Sequence, residues 1–168
     1  MQELKLRYLS KRESRELSEA LRKSIGRELT PLAELEAKGF SILVTEEGAI
    51  LVGSHGAYVP ALTDEAGISS LRGQVVVDEG AVRPIVNGAN VMRPGIVRYT
   101  EFEAGEAVVV REGVYNRPVA VGIALVPSRD LQAMSKGPVV RNVHHLRDEA
   151  WEALRSEDVT RLIKKLLK

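Results

Sequence analysis

The sequence predicts an α+β fold: a small α/β domain over residues 1–72, a mixed β-barrel over 73–150 and an amphipathic C-terminal helix over 151–168. Three observations support this fold class. A chain of 168 residues, 44% of them hydrophobic, is long enough for two small domains with buried cores. Short β-branched runs bounded by turn formers fill the middle of the chain, as in compact barrels. After residue 148 the apolar period becomes helical.

The first domain contains one strongly signalled helix. Ser10 and Glu13 form a capping-box pattern ahead of a helix predicted over residues 11–25, and Gly26 is placed to end it. Strands are predicted over residues 3–9, 40–45 and 49–52, and residues 63–73 are expected to connect the two domains.

The second domain is organised around residues 74–99, where most of its turn-forming residues fall. Asp78 is placed to cap a helix that begins near Glu79 and ends before Gly88, since glycine readily adopts a positive φ. Pro84 lies inside this helix and removes one of its hydrogen bonds. The helix is therefore expected to start late or to be kinked.

A strand predicted over residues 91–97 is interrupted at Pro94. Because proline has no N–H to donate, this strand is expected at a sheet edge or with a bulge. Gly122, in the middle of a later strand, indicates close packing or a bulge. Further strands are predicted over residues 106–111, 118–127 and 139–146, with a short helix over 129–134 capped by Ser128.

The last segment has a basic amphipathic pattern. The apolar face consists of Val159, Leu162, Ile163, Leu166 and Leu167, opposite Arg161, Lys164, Lys165 and Lys168. Such a helix could dock on its own protein, on a second copy, on another partner or on RNA. Docking on its own fold or a second copy is the favoured interpretation.

Charge is balanced overall, so any nucleic-acid site must be a local patch. The chain has 24 basic and 23 acidic residues. From Gly80 to Tyr99, however, it carries Arg83, Arg93 and Arg98 and no acid. This positive field suits a polyanion, although three arginines could equally well solvate a surface.

The same region resembles the PUA domain, an RNA-binding module found in pseudouridine synthases and archaeosine transglycosylases. The matching residues are Asp78, Gly80, Ala81, Val82, Gly88, residues 91–96 and residues 121–124. The following part is similar to the malignant T-cell-amplified family of translation factors, whose members also form the amino-terminal part of ligatin. That similarity is carried by Lys136, Gly137, residues 142–146, Asp148 and Trp151. The chain is identified as an archaeal-type member, with the resemblance strong over 73–151 and weaker before it.

The resemblance implies an RNA-binding protein of translation whose partner has a structured end, such as the acceptor arm of transfer RNA on the small ribosomal subunit, or small-subunit ribosomal RNA. The arginines would neutralise phosphates, the glycine turn would approach the RNA backbone, and an asparagine would contact a base edge or a 2′-hydroxyl. Met92 and Pro94 would offer an apolar surface to a terminal base. The candidate RNA-binding residues are Arg83, Asn87, Gly88, Ala89, Asn90, Met92, Arg93, Pro94, Gly95, Arg98 and His145.

Composition argues against catalysis, metals and membranes. The chain has no cysteine and only three histidines, two of them adjacent, so no metal site has enough ligands at useful spacing. No nucleophile has a base nearby in sequence, and no cofactor motif is present. No apolar run reaches the roughly 20 residues that a membrane span requires. We therefore expect a cytoplasmic protein that is not an enzyme and needs no cofactor.

Two other function classes stay open at this stage. The protein could be an adaptor that holds another protein of a translation factor complex through its N-terminal domain or its C-terminal helix. An exposed apolar stripe over residues 159–167 would favour that hypothesis. Alternatively, it could be a detached module that targets an RNA-modifying enzyme to its RNA.

Overall fold

Two β-sheets, one before residue 61 and one after residue 72, build the fold in a computed structural model that describes residues 3–168. The strands are β1 (Lys5–Tyr8), β2 (Pro31–Glu36), β3 (Ser41–Thr45), β4 (Ile50–Ser54), β5 (Ala57–Pro60), β6 (Gly73–Val77), β7 (Val91–Met92), β8 (Ile96–Tyr99), β9 (Ala107–Glu112), β10 (Pro118–Ala124) and β11 (Pro138–His145). The α-helices are α1 (Lys11–Ile25), α2 (Glu65–Ser69), α3 (Glu79–Ile85), α4 (Glu149–Arg155) and α5 (Glu157–Leu166), with 3₁₀ turns at Arg93–Gly95 and Ser128–Ala133. The predicted α+β class is confirmed.

The first sheet is an antiparallel meander in the order β1-β2-β3-β4-β5, and α1 lies against it. The helix has the bounds that its capping box predicted. Ser10 Oγ accepts the Glu13 N–H at 3.1 Å, the Glu13 carboxylate accepts the Ser10 N–H at 3.1 Å, and Gly26 ends the helix at φ +79°. Leu21 and Ile25 of α1 are buried against Leu43.

The second sheet has the order β7-β11-β10-β9-β6-β8 and curls into a half-barrel. Its strands pair antiparallel except β6 and β9, which are parallel. The two edge strands, β7 and β8, are consecutive in the chain and are joined by the 3₁₀ turn at Arg93–Gly95. Pro94 therefore lies between two edges of one sheet, where its missing N–H removes no ladder bond.

A bulge in the second sheet lies at the glycine that predicted it. The β10–β11 register shifts between Val121 and Gly122. A Cβ added at Gly122 would lie 2.1 Å from the Arg141 carbonyl oxygen, so no other residue fits without a backbone shift.

Two sequence predictions need correction. Ser128 does not cap the following turn: its Oγ accepts the Phe102 N–H at 3.0 Å and donates to the Phe102 carbonyl at 3.2 Å. The connection over residues 63–73 contains the short helix α2, whose N-cap Asp64 accepts the Gly67 N–H at 3.1 Å. An apolar pattern could identify neither Phe102 as the partner of Ser128 nor Gly67 as the partner of Asp64.

The two sheets share a core, and the C-terminal segment covers the first sheet. One buried cluster joins Leu51, Leu62 and Ile68 to Val109 and Val121 of the half-barrel. The C-terminal segment forms two helices that share Ser156 as their cap, and Val159 of α5 is 4% exposed against the first sheet. Within residues 3–168, no helix is both long and apolar enough to span a membrane.

Candidate nucleic-acid interface

Helix α3 begins where its cap predicted and does not start late. Asp78 Oδ1 accepts the Ala81 N–H at 2.9 Å, and the helix continues through Pro84 to Ile85. The Pro84 carbonyl then accepts the N–H groups of Asn87 at 3.1 Å and Ala89 at 3.0 Å. These bonds fold the chain tightly after the helix and bring it to Gly88, whose φ is +100°.

Asn142 of β11 fixes the turn after α3 in place. Its Nδ2 donates to the carbonyl oxygens of Ile85 and Ala89, each at 2.9 Å, and its backbone N–H donates to Asn90 Oδ1 at 3.0 Å. The Asn90 side-chain oxygen is therefore part of the scaffold. The sequence did not identify Asn142 as a member of this site; the available signal was a polar amide within an apolar strand.

His145 lies beside the Gly88 turn. A Cβ added at Gly88 would be 3.8 Å from His145 Nε2, an ordinary van der Waals distance, so the two residues are close neighbours. His145 Nδ1 lies 2.9 Å from the Leu146 carbonyl oxygen, which requires the proton on Nδ1 and leaves Nε2 as an acceptor in the neutral ring. The structure thus brings His145 and Gly88 together, as a shared site requires.

The neighbouring His144 has a structural role between the two sheets. It is fully buried, its Nε2 accepts the Leu62 N–H at 3.1 Å, and its Nδ1 donates to Asp148 at 2.8 Å. Burial acts to raise the pKa of Asp148, but the N–H groups of His144, His145 and Trp151 outweigh it, and the pKa is lowered. His144 is thus not available to a ligand.

Arg93 is tied to the fold. Its Nε donates to the Leu131 carbonyl at 2.8 Å, its Nη1 donates to the Ile96 carbonyl at 3.2 Å, and its guanidinium carbon lies 5.8 Å from the centroid of the Tyr99 ring. This arginine links the 3₁₀ turn to the neighbouring Ser128–Ala133 turn. A phosphate could use only its remaining donors.

Arg83 and Arg98 are the free cations of the predicted set. Both are exposed, and neither forms an ion pair with any residue in 3–168. The two arginines lie on different elements: Arg83 is on α3, whereas Arg98 is on β8, where it pairs with Val76 of β6.

The remaining candidates divide into exposed and packed residues. Met92 is 48% exposed, and Pro94 is exposed as well. Gly95 is required by packing, because a Cβ there would lie 2.9 Å from Ala81 Cβ. Asn87 uses its Nδ2 to donate to the Arg83 carbonyl at 2.9 Å.

An open cleft of about 240 Å³ lies beside the Gly88 turn and includes residues of the first domain. Its polar lining comprises Lys38, Ser54 and His55 from the first sheet, and Asn142, His145, Asp148 and Glu149 from the second domain and α4. The sequence did not predict that the first domain reaches this site.

Comparison with known families identifies the domain that carries this site, since residues 73–146 match the family described as the PUA domain. The chain contains a PUA domain. Two solved structures align with most of the chain. The PUA domain from Aeropyrum pernix, solved as a tartrate complex, aligns with a TM-score of 0.65 at 28% identity, over 99% of this chain and 95% of that one. A hypothetical protein from Pyrococcus horikoshii aligns with a TM-score of 0.67 at 31% identity, over 88% and 98%.

Relatives of this PUA-domain protein include translation-associated proteins, which confirms the resemblance noted from the sequence. An uncharacterised protein of Methanocaldococcus jannaschii is 38% identical over 46% of this chain and 48% of its own length. Translation machinery-associated protein 20 of Schizosaccharomyces pombe is 28% identical over 73% and 72%. Malignant T-cell-amplified sequence 2 of Mus musculus is 31% identical over 45% and 44%. Apart from the S. pombe protein, this chain spans about half the length of these relatives.

Proposed function

We propose that this protein binds structured RNA in the translation apparatus, either the acceptor end of transfer RNA or small-subunit ribosomal RNA, through the surface formed by α3, the Gly88 turn, β7 and β8. The observation that carries the proposal is an acid-free segment of a PUA domain that exposes Arg83, Arg98 and Met92. The names of the translation-associated relatives supply the context. The proposal includes a cytoplasmic location and a binding rather than a catalytic role.

In the proposed complex, Arg83 and Arg98 neutralise phosphates, and Arg93 adds its unused donors. The RNA backbone approaches at Gly88, where no side chain intervenes and His145 Nε2 faces the turn. Asn87 keeps its side-chain oxygen for a base edge or a 2′-hydroxyl, because only its Nδ2 is used internally. Three such phosphate contacts give a slope of log affinity against log salt of roughly −2 to −3.

The test is fluorescence anisotropy of a labelled transfer RNA, intact or trimmed of its 3′ end, over a series of salt concentrations. Arg83→Glu and Arg98→Glu should each weaken binding and reduce the magnitude of the salt slope by about 1. The matched control is Arg161→Glu, an exposed arginine on α5. Binding of the control should equal that of the parent.

Two results would contradict the model. Salt-independent binding would exclude phosphate contacts, and equal weakening by Arg161→Glu would place the RNA elsewhere. If trimming the 3′ end has no effect, the acceptor end is excluded and ribosomal RNA becomes the substrate to test.

Part of the apolar stripe on α5 is not available to the adaptor hypothesis. Val159 is buried, and Leu162 and Ile163 pack against the same cluster of the first sheet, so this part of the stripe is covered by the chain itself. Leu167, at 39% exposure, and the first domain stay accessible to a protein partner. The third hypothesis, an RNA-targeting module, would be favoured by co-purification with a modification enzyme and not with ribosomes.

A further inference from the structure

The loop between β9 and β10 exposes two large apolar side chains. Val114 is 64% exposed and Tyr115 is 70% exposed, more than any other large hydrophobic side chain in residues 3–168. Neither belongs to the candidate interface described above. Two adjacent apolar side chains directed into water suggest a contact surface.

This loop is rigidly built. The Glu112 carboxylate accepts the N–H groups of Val114 at 2.7 Å, Tyr115 at 2.7 Å and Arg117 at 2.8 Å. These backbone donors lower the pKa of Glu112, so its charge is fixed inside the loop. Asn116 adopts a left-handed φ of +58°. The side chains at the tip are therefore held in place before any ligand arrives, which reduces the entropy lost on binding.

One arginine covers the Tyr115 ring, and two more lie on the adjoining face of the sheet. The Arg117 guanidinium carbon lies 4.6 Å from the centroid of the Tyr115 ring and covers one of its faces. Arg98 on β8 and Arg111 on β9 both pair with Val76 of β6, so their side chains leave the sheet on the same outer face. Arg111 also donates to the Asn116 carbonyl at 3.0 Å, which connects this face to the loop.

The patch keeps a positive balance, because three arginines face one nearby carboxylate. Glu112 accepts three backbone N–H groups and lies 4.0 Å from Arg117 Nε, while Asp78, which follows β6 at the same end of the sheet, caps α3. A basic face that ends in an exposed aromatic ring is the arrangement that binds single-stranded nucleic acid, because the backbone follows the cations while a base stacks on the ring. An apolar protein surface would leave Arg98, which has no ion pair within residues 3–168, without a partner.

We propose that the surface formed by Arg98, Arg111, Tyr115 and Arg117 holds an unpaired stretch of RNA adjoining the structured part, with one base stacked on the free face of Tyr115. The inference rests on the proposed function, since Arg98 belongs to both surfaces. It adds a second contact, on the outer face of the half-barrel, and predicts that RNAs with an unpaired extension bind more tightly than blunt ones.

The experiment compares a stem-loop RNA with and without an unpaired extension that carries 2-aminopurine. Tyr115→Ala should weaken binding of the extended RNA about five- to a hundredfold, the range for loss of one stacked base, and leave the blunt RNA unaffected. Tyr115→Phe should bind like the parent and keep the quenching of 2-aminopurine, since stacking needs the ring and not the hydroxyl. The matched control is Tyr8→Ala, another exposed tyrosine, at 63% exposure on the first sheet.

The outcomes separate this inference from the function on which it rests. If the parent protein binds both RNAs and Tyr115→Ala does not alter the affinity for either, the second contact is excluded and the tip becomes a candidate protein contact. If Tyr8→Ala weakens binding as much as Tyr115→Ala, the ring has no specific role and the inference fails. If the parent binds neither RNA, both the function and the second contact are excluded.

Discussion

Arg93 differs from the other two arginines of its segment because the fold uses part of its guanidinium. Of its five N–H donors, Nε and Nη1 are directed to backbone carbonyls. Arg83 and Arg98 have no such bonds. If the proposed contacts form, a substitution at Arg93 should change stability and RNA affinity together, whereas substitutions at the other two should change affinity alone.

Replacing Arg93 by lysine separates charge from geometry. Arg93→Lys keeps the charge but cannot satisfy both carbonyls in the planar arrangement, so the free energy of unfolding should fall by about 1–3 kcal/mol. Urea unfolding followed by circular dichroism measures this change. Arg83→Lys, the matched control at an exposed position, should stay within about 0.5 kcal/mol of the parent. Equal stability of the two variants would mean that the bonds of Arg93 contribute nothing.

At the scale of single elements, turns and bulges hold the interface in place. Asn142 connects β11 to the end of α3, and the Arg93–Gly95 turn joins the two edge strands. The bulge at Gly122 aligns β10 with β11 and thereby sets the position of Asn142, its partner in the register. A change in this bulge should therefore lower the stability of the whole half-barrel.

Adding one methyl group at the bulge tests this dependence. Gly122→Ala should lower the free energy of unfolding by about 1–3 kcal/mol or more, because the new Cβ meets a backbone oxygen. Gly80→Ala, in α3 with only the Asp78 side chain nearby at 3.5 Å, should instead raise stability by about 0.4–1 kcal/mol. Thermal unfolding measures both. A neutral Gly122→Ala would show that the two strands separate easily at this point.

Helix caps and turn residues allowed the helices and strands to be predicted, whereas hydrogen bonds between residues far apart in the sequence could not be predicted. The capping box gave the bounds of α1, and Asp78 gave the start of α3, because a cap and its amide lie three residues apart. The partner of Ser128 is 26 residues away and that of Asn142 more than 50. Tyr115 lies between the strands predicted over 106–111 and 118–127, and its exposure could not be predicted because exposure depends on what does not pack against a side chain. The three-part division of the chain and the individual RNA contacts stay predictions.

At the scale of the whole molecule, the two sheets and the C-terminal helices form one packed body. The shared cluster joins Leu62 to Val121, and the buried His144 accepts a backbone N–H from the first domain. Trp151 of α4 packs against the same cluster. The half-barrel also has a buried cluster of its own, which includes Val75, Ile85 and Leu131, but the shared cluster couples it to the first sheet, so unfolding should be cooperative.

A single unfolding transition is therefore expected. Trp151 fluorescence and far-ultraviolet circular dichroism should give the same midpoint, and calorimetric and van't Hoff enthalpies should agree. Val159→Asp, which places a charge in the cluster under α5, should lower both midpoints together, while Leu167→Asp, at 39% exposure, should have little effect. Two separate transitions would show that the domains unfold independently.

The position of α4 and α5 also has a consequence for biosynthesis. The strands of the first sheet are translated early, but Leu35, Ile42 and Val52 are covered by residues of α4 and α5, which are translated only after the half-barrel. Until then the growing chain presents an apolar sheet face to the cellular milieu. Chaperone engagement or transient aggregation during synthesis should thus depend on how fast the ribosome completes the stretch from the half-barrel to α5. A stop before α4 would leave all five strands of the first sheet in place but one apolar face of the sheet uncovered.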